Sequence, residues 1–268
     1  MYETIKGDSC IIYRFLVQNS DRNINYILAP IDSNECIVID PLDKDGIEEI
    51  LKNENLFPQY IVNTHAHPDH IKYNSYFLKK YSCKLLAHNF CKDLFEFKFD
   101  NIFENDLIIL NNLRIKVLHT PGHCPEHISL IIDNCLLCGD TVFNCGVGNT
   151  KFRGDVLMLY RTIFHKIKNL PDDILILPGH DYLYNNILFL ESLYEDQGKI
   201  HKELIELKIN FKQENLSPIK DLAFEKKHNP FFRVDELSFW DLVKNKNLFA
   251  NEEIQYKFRL LRQVRDEW

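Results

Sequence analysis

Several things are missing from this 268-residue chain, and each absence narrows the reading. No apolar run approaches the roughly 20 residues needed to cross a bilayer. The nearest stretch, 129–137, is broken by Asp133 and Asn134 and reads as two strands. The N-terminus, Met1 to Asp8, has no basic segment leading into an apolar one, so no secretory signal is expected. Positive charge is not in excess: 32 Lys+Arg face 39 Asp+Glu, a net charge of −7 without the basic footprint of a nucleic-acid binder. Neither a nucleic acid nor a membrane is therefore expected as a partner. There is no internal repeat and no low-complexity linker. No Gly-x-Ser-x-Gly segment marks a serine hydrolase, and Gly146-x-Gly148 is too short to cradle a phosphate. Cysteines stand at 10, 36, 83, 91, 124, 135, 138 and 145, mostly in apolar stretches. Cys135-Leu136-Leu137-Cys138 has no second pair at zinc-site spacing, and a strand's period of two puts its cysteines on opposite faces. Reduced thiols and a cytoplasmic location are expected.

What is present is globular. A hydrophobic share of 45% with 26% charged residues excludes a disordered or collagen-like chain. The length suits one large α/β domain with an appendage. Strand-like runs at 10–17, 24–29, 36–39, 60–62, 84–87, 107–110, 114–118, 128–132, 135–138 and 174–177 alternate with helical spacing at 43–53, 69–81 and 156–167. From Tyr184 onward the spacing is helical, interrupted at Ser217-Pro218 and resuming at about 235–244 and 251–265. Two regions are expected: one of alternating strands and helices over 1–183 and a mostly helical one over 184–268.

The most informative segment is Thr64-His65-Ala66-His67-Pro68-Asp69-His70, directly after a short apolar strand. On an extended chain His65 and His67 point the same way, so both imidazoles reach one ion. Beyond the turn at Pro68, Asp69 and His70 can serve a second ion. Three further strand-end segments follow in order: Pro121-Gly122-His123, Cys138-Gly139-Asp140-Thr141 and Pro178-Gly179-His180-Asp181-Tyr182. Five His and two Asp are the complement of a two-metal site: His65, His67 and His123 on one ion, Asp69, His70 and His180 on the other, Asp140 between them. The same ligands accept zinc, the first expectation, as well as iron or manganese. His127 is read as a hydrogen-bonded orienter, and His88, His119, His165, His201 and His228 as surface or packing residues.

The ordered set His65-x-His67-x-Asp69-His70, His123, Asp140, His180 resembles the metallo-β-lactamase superfamily over about 10–183. The resemblance implies an α/β fold, the αβ/βα metallo-β-lactamase sandwich, here with a helical C-terminal region. Asn23-Ile24-Asn25-Tyr26 resembles the family's early strand. Within the superfamily, Glu225-Lys226-Lys227-His228-Asn229-Pro230-Phe231-Phe232-Arg233 resembles the E-x-x-x-NPF-x-R segment of glyoxalase II, the hydroxyacylglutathione hydrolases, and 258–268 resembles their last helix. That likeness implies that Arg262 and Arg265, three apart on one helix face, clamp the glycine carboxylate of glutathione, and that Tyr182 contacts its backbone. One loop departs from the family pattern. Gly146 to Asp155 is about two residues longer than the usual loop, and Asn149 stands where a basic residue is expected, with Lys151 as the available substitute. The longer loop is more like the mononuclear-iron persulfide dioxygenases of the same superfamily, which lack the long helical C-terminal region.

The implied chemistry is thioester hydrolysis. Two cations near Asp140 would lower the pKa of a shared water from 15.7 towards about 7. The departing thiolate, with a pKa of about 8.5, needs no strong acid. Asp69 would act both as ligand and as orienter of the nucleophile, so Asp69 and Asp140 are the expected catalytic carboxylates. The expected substrate is S-D-lactoylglutathione or a related 2-hydroxyacylglutathione, and the protein a monomer or small homo-oligomer. A persulfide dioxygenase and a hydrolase of other acyl thioesters are the competing enzymatic readings. A non-catalytic module on a degenerate fold is the third, and the intact seven-ligand set argues against it.

Overall fold

A computed structural model describes residues 2–244 and 253–268. The chain divides into two compact units built from discontinuous stretches. One comprises Met1–Thr120, Glu126–Gly139 and Leu177–His180; the other comprises Pro121–Pro125, Asp140–Ile176 and Asp181–Trp268.

The first unit carries two sheets. Strands β1 (Glu3–Lys6), β2 (Cys10–Leu16), β3 (Ile24–Pro30), β4 (Glu35–Ile39), β5 (Phe57–Val62), β6 (Lys84–His88) and β7 (Asp100–Ile102) lie side by side in chain order. The pairing is antiparallel as far as β4 and parallel from β4 to β7. The parallel pairs need crossovers. Between β4 and β5 the crossover is α1 (Lys44–Asn53), between β5 and β6 it is α2 (Pro68–Ile71) with α3 (Asn74–Tyr81), and between β6 and β7 it is the segment 89–99. Asp43 starts α1: its carboxylate accepts from the N–H groups of Asp45 and Gly46, which have no partner inside the first turn. Ile47, Ile50 and Leu51 form the apolar face of α1. They share a core with Phe15, Ile27, Val38, Ile61 and Phe77, and burying each such side chain stabilises by about 2 kcal/mol.

The alternate residues of the same strands, Leu28, Ile37, Ile39 and Val62, are also buried. That is why these strands read as continuous apolar runs rather than alternating ones. Their face is tied to the end of β14 (Leu175–Pro178) by the Tyr26 hydroxyl, which donates to the Pro178 carbonyl at 2.8 Å. The second sheet contains β8 (Leu107–Leu110), β9 (Leu113–His119), β10 (Ile128–Ile132) and β11 (Cys135–Gly139), all antiparallel neighbours. The stretch 129–137 is indeed two strands, joined at Asp133, whose φ is +49°.

One difference from the expected helices lies here. The pattern over 69–81 splits into α2 and α3, because the Tyr73 N–H donates to the Pro41 carbonyl (3.0 Å) and leaves the helical ladder.

The second unit contains the ribbon β12 (Val142–Phe143) and β13 (Gly146–Val147), helix α4 (Val156–His165), and β15 (Lys220–Asp221) paired with the start of β14. Helices α5 (Leu183–Leu193), α6 (Lys202–Ile209), α7 (Leu222–His228), α8 (Leu237–Trp240) and α9 (Ile254–Glu267) follow. The helix expected over about 235–244 shrinks to α8. Downstream of α8 the chain turns: the Leu242 and Val243 N–H groups donate to the Phe239 and Trp240 carbonyls, Val243 bridges Tyr194, and the Lys244 N–H donates to the Leu193 carbonyl. The helix expected from 251 begins at Ile254, with 251 and 252 outside the described residues. Helices α4 and α9 pack through Tyr160 against Phe258. None of the eight cysteines forms a disulfide. Among the described residues no helix is long and apolar enough to cross a membrane.

Candidate active site

The first unit assembles five of the expected metal-binding residues at the ends of strands. His65 and His67 follow β5, and Pro68 opens α2, which carries Asp69 and His70. Orientation comes from Asp40, at the end of β4 in the left-handed region (φ +46°). Its buried carboxylate accepts from the Thr64 N–H (2.8 Å), the Thr64 hydroxyl (2.6 Å) and His70 Nδ1 (2.9 Å). A carboxylate only accepts, so the His70 proton sits on Nδ1 and its Nε2 is a lone pair. The one Thr64 hydroxyl proton goes to Asp40, so that oxygen accepts from His65 Nδ1 at 3.0 Å. His65 Nε2 is then a lone pair, 3.0 Å from His67 Nδ1. His180 donates from Nδ1 to the Asp21 carbonyl (2.7 Å), which makes its Nε2 the lone-pair side, 3.4 Å from Asn23 Nδ2.

Asp69 Oδ2 lies 3.4 Å from His180 Nε2 and 3.5 Å from His70 Nε2. Ligand atoms of Asp69, His70 and His180 all fall within 4.8 Å of one another. Asn23 donates to the same Asp69 oxygen at 2.9 Å. Buried His127 stacks on His65, with ring centroids 5.0 Å apart, and its Nδ1 is 3.0 Å from the Thr120 hydroxyl.

His123 and Asp140 lie in the second unit. Gly122 has φ +145°, and a Cβ there would stand 2.4 Å from the Leu159 backbone, so the close turn before His123 requires glycine. His123 donates from Nδ1 to the Asn149 carbonyl (2.7 Å), and its Nε2 lies 3.6 Å from Asp140 Oδ2.

The four expected substrate residues share one cavity of about 240 Å³ in this unit. Lys151, Tyr182, Arg262 and Arg265 line it with Asp266 and Trp268. Arg262 is buried among fixed partners: it donates to the Val147 carbonyl (2.9 Å) and to Asp266 Oδ1 (2.9 Å), over the Phe231 ring. Burial pushes its guanidinium down to about 10, against the pull of Asp266. Arg265 lies over the rings of Phe189 and Trp268, 5.2 and 4.9 Å from their centroids. Burial lowers it as well.

Residues 20–90 and 93–180 match the metallo-beta-lactamase superfamily, and residues 181–268 match the hydroxyacylglutathione hydrolase C-terminus. The hydroxyacylglutathione hydrolase of Nitrosococcus oceani is 32% identical over 266 residues, 96% of this chain and 100% of that one. The chain is a metallo-beta-lactamase superfamily member of the hydroxyacylglutathione hydrolase family. The namesake of Polaromonas is 30% identical, again over 96% of this chain and 100% of its own. The crystal structure of ETHE1 from Myxococcus xanthus superposes with a TM-score of 0.65 at 19% identity, covering 95% of this chain and 97% of that one, a likeness of fold.

Membership in this family makes a divalent metal the natural test of the donor set. The set fits: each of His70 and His180 has Nδ1 committed to a carboxylate or carbonyl, and both Nε2 atoms converge on Asp69. A second group, His201, Glu203 and His228, fits less well, because the Lys220 ammonium lies 3.1 Å from Glu203 and opposes a cation.

Sequence reasoning missed Asp40, although Asp40-Pro41 carries the same signal as Asp140, a carboxylate at a strand end. It also missed the roles of Glu225 and Asn229. Glu225 accepts from Asn144, the Cys145 N–H and Asn229, and Asn229 donates in turn to the Gly146 carbonyl. The motif thus anchors the ribbon whose Val147 carbonyl holds Arg262.

Proposed function

We propose that the protein hydrolyses the thioester of S-D-lactoylglutathione, or of a related 2-hydroxyacylglutathione, to glutathione and the hydroxy acid. The observation that carries this reading is the cavity shared by Lys151, Tyr182, Arg262 and Arg265. Two arginines and a lysine around a tyrosine suit a peptide-like thiol that ends in a carboxylate. Lys151 reaches this cavity from the lengthened loop, which supports it as the stand-in for the basic residue absent at Asn149.

His65, His67, Asp69, His70, His123, Asp140 and His180 are the proposed ligands of two divalent ions, zinc foremost, with iron or manganese as alternatives. Bound there, the ions would supply Lewis acidity and bring the pKa of a water from 15.7 towards about 7. The chain's own residues do the remainder. Asp40, Thr64 and the carbonyls of Asp21 and Asn149 fix the imidazole tautomers so that His65, His70, His123 and His180 each offer a lone pair. Asp69 and Asp140 orient the attacking water, and the arginines hold the thiol end while the acyl group is cleaved. A thiolate of pKa about 8.5 departs without a protein acid. In this reading residues 1–183 are the catalytic domain and 184–268 the substrate-binding region, working in the cytoplasm, where eight thiols outside any disulfide are stable.

Arg265→Ala tests the substrate assignment. Losing one charged partner of a carboxylate costs about 2 kcal/mol, so KM for S-D-lactoylglutathione should rise about thirtyfold, and further in Arg262→Ala/Arg265→Ala. A KM that stays put in both variants would contradict it.

A further inference from the structure

Inside the cavity of Arg262, Arg265 and Lys151 lies one anion of the chain's own, Asp266. Its Oδ1 accepts from Arg262 Nη2 at 2.9 Å and lies 3.7 Å from Lys151 Nζ, while its backbone carbonyl accepts from the same ammonium at 3.3 Å. On its other side Arg262 donates to the Val147 carbonyl and lies over the Phe231 ring. One donor of Arg262 is still open. Its Nε–H is buried and has no hydrogen-bond partner among the described residues. The cavity thus presents two arginines and a lysine with a resident negative charge beside them.

We propose that Asp266 is a specificity-determining residue, an internal counter-ion that competes with the ligand's carboxylate for Arg262 and Lys151. This rests on the glutathione reading given above. Without Asp266, buried Arg262 would lack a neutralising partner whenever the cavity is vacant, an arrangement that desolvation makes unfavourable. With it, the arriving carboxylate meets a partly neutralised clamp. Such a clamp holds the thiol product loosely enough to let it go, and admits one carboxylate while resisting more negative charge. The glycine end of the thiol conjugate is the group that feels this, since it is the end the two arginines would grip.

Asp266→Asn keeps the size and an acceptor for Arg262 but removes the charge. A unit charge about 5 Å from another in a water-like dielectric is worth about fivefold in binding. The Kd of glutathione, read by calorimetry, should therefore fall about fivefold in the variant, and the KM of S-D-lactoylglutathione should fall in proportion. With glutathione amide, whose glycine end is uncharged, the two proteins should differ by less than about twofold. A Kd for glutathione that is unchanged or weaker in Asp266→Asn overturns the proposal, as does an equal shift for the amide. Should that variant not fold, Asp266→Ser is read in the same way. Failure of both to fold would make the carboxylate a requirement of α9 rather than of selectivity, and overturn it too. A protein that binds glutathione but releases no thiol from its thioesters contradicts the hydrolase reading and leaves the Asp266 comparison standing.

Discussion

At the scale of single residues, the candidate metal centre depends as much on atoms that would never touch an ion as on those that would. Asp40 binds Thr64 and His70, and through the Thr64 hydroxyl it sets the tautomer of His65. Replacing such an orienting carboxylate commonly lowers metal affinity 10–100-fold. Asp40→Asn tolerates the left-handed backbone but removes the charge that makes His70 a better donor. Its metal content after competition with a chelator should drop by a factor of about 10 or more against the wild type. Equal retention would contradict the role given to Asp40. Asp40 was readable from the sequence, as a strand-end carboxylate before proline. The Asp21 and Asn149 carbonyls were not, because a backbone oxygen carries no residue signature, and only folding brings it to His180 or His123.

At the scale of elements, α7 matters more than its length suggests. It presents Glu225, fully buried, to the 144–146 segment. Burial pushes Glu225 up to about 7, although three N–H donors pull the other way. In the unfolded chain it titrates near 4.5. Between those values the folded state holds a proton that the unfolded state has lost, so stability falls as pH rises from about 4.5 to about 7, by about 1.4 kcal/mol per unit at most. Glu225→Gln should remove that slope. Denaturant titrations across the window test it, and parallel profiles for the two proteins would contradict it.

Elements with enough residues to show a period were legible in the sequence: β2 to β6, β8 to β11, α1, α4 and α9 appear where the spacing put them. The ribbon β12–β13 and strand β15 span two residues each, too short for any period, and β1 and β7 are nearly as brief. The break between α2 and α3 follows from the Tyr73 N–H captured by the Pro41 carbonyl, and past α8 the Leu193 carbonyl takes the Lys244 N–H, contacts distant in the chain.

At the scale of the whole molecule, two family segments meet at residue 180, one carrying the metal-type motifs and the other the helices with the arginines. The seven-residue motif set was legible because each of its four segments follows a strand. The cavity was legible only through resemblance, since a basic pair on a helix has no unique meaning until Tyr182 and Lys151 are seen beside it. The most direct test of the account is thiol release from S-D-lactoylglutathione by the metal-replete protein, compared with the same protein stripped by a chelator and then reloaded. The account predicts fast release, loss on stripping to below about one thousandth, and recovery on reloading. Metal-replete protein that releases no thiol, or stripped protein that keeps full activity, would contradict it.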